Sequence, residues 1–117
     1  MPDSGGSGAP SDAQEVQITF TRARNGKRRT IPVWFTLNEG KMELLPMYGL
    51  KTKWFTEVEK SGRIGLTVKD WKMDAGPAFV RDPHAVDSIK RRFGAKYGEG
   101  NVKKYYPTSE VALEIGL

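Results

Sequence analysis

Apolar and polar residues alternate with a period of two at both ends of this chain, and twice in between the period lengthens to that of a helix. In "VQITFTR", Val16, Ile18 and Phe20 alternate with Gln17, Thr19 and Thr21, the pattern of a half-buried strand. "RNGK" follows, and Asn25-Gly26 predicts a tight hairpin because both positions tolerate positive φ. "RTIPVWFTL" alternates again, with Ile31, Val33, Phe35 and Leu37 on one face and Thr30, Pro32, Trp34 and Thr36 on the other. This is a second strand returning along the first. "NEG" turns the chain into a third strand, "KMELLPM", so the first half reads as an antiparallel meander.

From Lys51 the spacing changes. Trp54, Phe55 and Val58 sit at helical intervals in "KTKWFTEVEKSG", and Gly62 is the expected stop. Ile64, Leu66 and Val68 then alternate with Arg63, Gly65 and Thr67, and Lys69-Asp70 turns the chain into Trp71, Met73 and Ala75, a second hairpin. "VRDPHAVDSIKRRFG" predicts a second helix, with Asp82 as N-cap, Pro83 at the first helical position, Val86, Ile89 and Phe93 facing inward, and Gly94 as its end. Val111, Leu113, Ile115 and Leu117 alternate in "EVALEIGL", a sixth strand. Six antiparallel strands with two short helices bury their apolar faces most readily by curling into a small barrel, a mainly β, α+β fold. A ligand is then expected outside the barrel or at its rim.

The 117 residues suffice for one core. The opening "MPDSGGSGAPSDAQ" has no aromatic or large apolar side chain beyond Met1, so positions 1–15 read as a disordered tail ahead of a domain over 16–117. The chain shows no secretion signal and no run of about 18 apolar residues, so a cytoplasmic protein without membrane contact is expected. With no cysteine and one histidine, disulfides, thiolate metal sites, a cysteine nucleophile and a multi-histidine metal site all drop out. Charge sharpens the picture further. Asp3, Asp12 and Glu15 all lie in the tail, and setting them aside from the 14 acidic residues leaves 19 basic against 11 acidic, a net charge of +8. Such an excess favours an anionic partner.

Several local features bear on which partner. Pro32 lacks the N–H that an interior strand needs, so it belongs on an edge or where pairing breaks, with Trp34 beside the gap. In "YGLKTKW", Gly49 allows close backbone approach, and Lys51 and Thr52 lie at the start of a helix, where free N–H groups and the dipole attract anions. Arg22, Arg24, Lys27, Arg28 and Arg29 crowd the first hairpin and repel one another unless solvated or matched by an anion. Arg22 continues the Val16-Ile18-Phe20 face, which makes it an inward or rim-facing charge. His84 has no motif around it. Lys90, Arg91, Arg92 and Lys96 suit the C-terminal end of the second helix. Tyr97, Tyr105 and Tyr106 stand among basic residues, as on a platform for single-stranded nucleic acid. No Ser/His/Asp set, GxGxxG or paired carboxylates can be argued, so any enzymatic chemistry would be carried by a bound cofactor.

The stretch "RNGKRRTIPVWFTLNEGKMELLPMYGLKTKW" resembles the split β-barrel flavin and deazaflavin proteins, the pyridoxamine-phosphate-oxidase-like group and within it the F420-dependent nitroreductase-like branch. Gly26-Lys27, Arg29-Thr30, Pro32 and Trp34, Leu44-Leu45, Gly49 with Lys51, and Trp54 carry that resemblance. It implies a six-stranded split barrel, a cofactor phosphate at the turn after the third strand, and a ring along the second and third strands. Residue by residue, Lys51, Thr52 and Lys53 would hold the phosphate with Lys27 or Arg29, on the turn that Gly49 permits. Pro32, Val33, Trp34, Met47 and Tyr48 would border the ring, with Trp54 heading the helix. The chain departs from the family in "KSGRI", where an Asn-Pro pair is usual, and in the shortened turn "YGLKTK", which leaves the cofactor open between F420 and FMN.

Two readings follow. In the first, a flavoprotein oxidoreductase passes hydride from reduced F420 or FMN to a small quinone or nitro acceptor, and two-fold pairing is usual in such relatives. Its partners are a phosphorylated cofactor, a small-molecule electron acceptor and a second copy. In the alternative, a non-enzymatic basic barrel binds single-stranded nucleic acid, or the chain is a degenerate, non-catalytic cofactor-binding relative.

Overall fold

The computed structural model describes residues 13–108 and 110–117, so the expectation for positions 1–12 lies outside the described residues. Eight strands form two four-stranded antiparallel sheets. The first, in the order β2-β1-β5-β6, joins β1 (Val16–Thr21), β2 (Arg28–Val33), β5 (Ile64–Val68) and β6 (Trp71–Ala75). The second, in the order β3-β4-β8-β7, joins β3 (Thr36–Asn38), β4 (Lys41–Leu44), β7 (Ala78–Val80) and β8 (Ala112–Gly116). Helix α1 (Lys53–Ser61) follows a 3₁₀ turn at Gly49–Lys51, and α2 (Pro83–Tyr97) and α3 (Glu99–Tyr105) run consecutively before β8. The expected antiparallel α+β character is present. The six-stranded barrel with two helices is not confirmed: among the described residues there are eight strands in two sheets, and three helices.

The difference arises mainly at one point. The predicted second strand breaks at Trp34-Phe35, where the chain leaves the first sheet and enters the second. Pro32 sits on β2, an edge strand, opposite Gln17, so its missing N–H costs no ladder bond to a further strand. Phe35 is fully buried yet belongs to neither sheet. Its N–H donates to the Tyr97 hydroxyl at 3.0 Å, and its carbonyl accepts from Lys96 Nζ at 2.8 Å. Side chains from α2 thereby satisfy backbone groups that a continuous strand would have paired. The meander is therefore divided, with β1-β2 in one sheet and β3-β4 in the other.

Smaller corrections have equally local causes. The hairpin tip bends with Gly26 alone at positive φ (70°), Asn25 instead accepting the Lys27 N–H through Oδ1 at 3.0 Å. Helix α2 runs through Gly94 and stops at Gly98. A Cβ at Gly94 would come within 3.2 Å of Glu99 Cγ, so this glycine lets α3 fold tightly back on α2. The N-terminus of α2 is as expected, with Asp82 Oδ2 accepting the Ala85 N–H at 3.0 Å and Pro83 in the first turn.

The inner faces of both sheets and Trp54, Phe55 and Val58 of α1 enclose the main core, which includes Ile18, Phe35, Met42, Leu44, Leu66 and Leu113. A second core lies on the far side of the β3-β4-β8-β7 sheet, where Val86, Ile89 and Phe93 of α2 and Val102 of α3 pack on Leu45 and Ala112. Glu43 of β4 is fully buried on that side and receives Thr36 Oγ1 and Arg92 Nε, each at 2.7 Å, with Arg92 Nη2 on its second oxygen. Among the described residues no helix is long and apolar enough to cross a membrane.

Candidate cofactor-binding cleft

Where β2, the turn after β4 and the start of α1 meet, they leave an open cleft of about 840 Å³. Such a volume suits an organic ligand of cofactor or drug size. One wall comes from the strands and carries Phe20, Ile31, Pro32, Val33 and Trp34; the floor continues through Leu45 and Met47. The opposite wall is the beginning of α1, with Lys51, Thr52, Lys53 and Trp54. Of the residues expected to bind a cofactor, Arg29, Pro32, Val33, Trp34, Met47, Tyr48, Lys51, Thr52, Lys53 and Trp54 all line this space, and Lys27 and Gly49 do not.

The start of α1 has the character of an anion site. Thr52 occupies the N-cap position, but its hydroxyl accepts the Tyr48 N–H at 2.8 Å and makes no cap to the helix. The first turn contains no acidic residue, and Lys51 and Lys53 flank it, both exposed. First-turn N–H groups without a side-chain cap, together with the helix dipole and two ammonium groups, present positive potential to the cleft. Gly49 has a different task from the one expected. It is buried at φ 60°, and a Cβ there would run into Glu110 Oε1 and lie 2.8 Å from Thr108 Oγ1. The close approach is thus taken by the chain's own Glu110 carboxylate, which accepts the Leu50 N–H at 3.3 Å.

Trp34 is half-buried, and one face of its indole is covered by the Tyr97 ring, stacked at 4.2 Å and 10°. Tyr105 stands edge-on at 5.7 Å and Tyr106 lies at 5.9 Å, so the indole is held in one orientation beside the cleft. The Tyr97 hydroxyl also reaches the Phe35 carbonyl at 2.9 Å and that of Gln14 at 2.7 Å, and Ala13 packs on the core, so residues 13 and 14 belong to the packed structure. Burial pushes the Tyr97 phenol up from its ordinary value, against the opposing hydrogen bond from Phe35. Burial also raises Tyr106. It lowers the Lys96 amine, whose Nζ lies 3.7 Å above the Phe35 ring.

Several lining residues went unassigned in the sequence reading. Glu15 and Glu57 add two carboxylates, and Tyr105 and Tyr106 complete the aromatic end. The tyrosines carried a signal, but toward stacking nucleic-acid bases. Packing decides otherwise: Tyr97 lies beneath Trp34 and Tyr106 is buried, so of the three only Tyr105 is exposed. His84 is exposed in the first turn of α2, and among the described residues no group of three or more His, Asp or Glu is placed to hold a metal. The cleft thus brings apolar and aromatic side chains together with several cations.

The fold recurs in known structures at low sequence identity. An F420-H2 dependent reductase superposes with a TM-score of 0.68 at 15% identity, covering 87% of this chain and 93% of that one. A FAD-binding protein from Mesorhizobium loti gives 0.60 at 10% identity, with 90% and 81% covered. HutZ, a heme storage protein from Vibrio cholerae, gives 0.66 at 14% identity, with 89% and 80% covered. The resemblance to the flavin and deazaflavin split-barrel group seen in residues 24–54 therefore extends to the fold. No curated protein matches the chain. Over residues 9–113 it matches the family described as "uncharacterized protein conserved in bacteria (DUF2255)", and it belongs to that family.

Proposed function

We propose that the chain binds a phosphorylated flavin or deazaflavin, F420 or FMN, and serves as an oxidoreductase acting on a small quinone- or nitro-type acceptor. The observation that carries this reading is the single cleft joining an uncapped, lysine-flanked helix start to a wall of Pro32, Val33 and Trp34. Lys51, Lys53 and the first-turn amides of α1 hold the phosphate, and the Thr52 hydroxyl, already accepting from Tyr48, has its own proton left to donate. Pro32, Val33, Trp34, Met47 and Tyr48 border the ring and exclude water from one side of it. Bound there, the cofactor supplies the hydride-transfer chemistry; the protein supplies position and field. Trp34, backed by Tyr97, presents a rigid surface against which a ring settles in one plane.

An F420-H2 dependent reductase shares the fold, which supports including F420 beside FMN as a candidate cofactor. Tyr48, Leu50 and Tyr105 are the large apolar side chains exposed among the described residues, and two of them line the cleft. Their position supports a homodimer that shields this rim. Titration of the purified protein with F420, FMN and FAD, followed by ring fluorescence, tests the assignment. Micromolar binding of one of them is the expected result, and failure of all three to bind overturns it.

A further inference from the structure

The cleft holds more positive charge than one phosphate at α1 requires. Beyond Lys51 and Lys53 it is lined by Arg22, Arg24 and Arg29, all from the β1-β2 hairpin. Arg29 lies opposite Phe20 in the β1-β2 register, and Arg22 follows two residues after Phe20. The register therefore puts Arg29 on the face that Phe20 turns to the cleft, and Arg22, just beyond the end of β1, lines the cleft as well. Among the described residues the ion pairs involve Lys41, Arg81, Arg91 and Arg92, and none of these three arginines.

The loop bearing Arg22 and Arg24 is pinned. Arg22 N–H donates to the Lys27 carbonyl at 2.8 Å and Gly26 N–H to the Arg22 carbonyl at 2.7 Å, closing the tip on itself. Ala23 N–H, between the two arginines, donates to Glu57 Oε1 of α1 at 3.2 Å. Glu15 and Glu57 also line the cleft, and among the described residues neither lies within ion-pair distance of any of the three guanidinium groups. Arg22 and Arg24 on a loop that two sets of hydrogen bonds hold in place, with Arg29 at the start of β2, bring three like charges to the cleft, a pattern that favours an anion. Planar guanidinium groups suit the paired oxygens of a carboxylate or phosphate.

We infer that Arg22 and Arg24, with Arg29 beside them, form a second anion subsite that receives the carboxylate or phosphate of an organic second substrate, distinct from the anion position at the start of α1. The inference builds on the cofactor reading above, since it assigns α1 to the cofactor and the hairpin to the acceptor. Acceptors that carry an anionic group are then preferred over neutral ones of the same shape.

Calorimetric titration of the full-length chain with 1-naphthyl phosphate, 1-naphthol and FMN tests this. The wild-type protein is compared with Arg22→Ala/Arg24→Ala and Lys51→Ala/Lys53→Ala, each checked for folding by circular dichroism. The arginine pair is expected to weaken 1-naphthyl phosphate by about tenfold or more while leaving 1-naphthol and FMN within about twofold. The lysine pair is expected to do the reverse. An equal loss of FMN affinity in the arginine variant overturns the inference, because the hairpin then serves the cofactor. So does 1-naphthyl phosphate binding that fails to occur or that ignores the arginines. If no flavin or deazaflavin binds but 1-naphthyl phosphate still depends on Arg22 and Arg24, the subsite stands and the oxidoreductase reading falls.

Discussion

Replacing Arg92 by methionine tests the part of the structure that supports Trp34 from behind. Glu43 is completely buried and has three donors: Thr36 Oγ1, Arg92 Nε and Arg92 Nη2. The hydrogen bonds to Glu43 hold the Arg92 guanidinium above its already high ordinary value. Methionine preserves much of the apolar stem packing but leaves a buried carboxylate with one neutral donor. Stranding a buried charge in this way costs about 3–5 kcal/mol, and because the Arg92 side chain is 34% exposed, water entering its place favours the lower end, about 3 kcal/mol. For a domain of this size that is a fall in Tm of roughly 10 °C. The double variant Glu43→Met/Arg92→Met removes both charges and should recover most of the loss, to within about 1 kcal/mol of wild type. Urea unfolding followed by circular dichroism, with m-values checked for constancy, measures all three proteins. A single variant costing under about 1 kcal/mol, or a double variant no more stable than the single, would refute this account. Because the pair ties β4 to α2, and α2 carries Tyr97, the single variant should also loosen the indole, seen as a shift in tryptophan emission.

Four other outcomes are expected. Gly26→Ala should cost about 1 kcal/mol, for the left-handed backbone alone, since nothing lies within 4 Å of the added methyl. Gly49→Ala should cost about 3 kcal/mol, because it also displaces Glu110 and Thr108; equal costs in chemical denaturation would contradict the packing described. Lys51→Ala/Lys53→Ala should weaken FMN about tenfold and leave riboflavin, which lacks the phosphate, nearly unchanged in fluorescence titration. Tyr97 and Tyr106 both titrate above their ordinary 10.0 in the folded state, so their contribution to stability is complete below pH 10 and is lost as pH rises beyond it. Lys96, lowered by burial, has the opposite slope below 10.5. Tyr106→Phe should therefore flatten the fall of Tm with pH above 10, and an unchanged slope would count against the buried phenol.

Much of the cleft was legible in the residues alone because its parts are local. Period-two alternation marks β1 and β5, and the Asp82-Pro83 pair marks the start of α2. The shift to helical spacing after Gly49 places Lys51, Thr52 and Lys53 at a helix start whatever the rest of the chain does. Elements of three and seven residues, β7 and α3, are too short for periodicity to declare them. The break at Trp34-Phe35 was invisible for another reason: alternation runs on through Leu37, and the groups that release Phe35 from the sheet, Lys96 and Tyr97, lie 61 and 62 residues away. Distance along the chain also hid Glu110, 60 residues from the Leu50 amide it receives, and made a turn shaped for close approach look open to a phosphate. Local patterns specify which faces are apolar and where backbone donors are left over. Which of those donors another part of the chain satisfies, and which remain for a ligand, is settled by long-range packing.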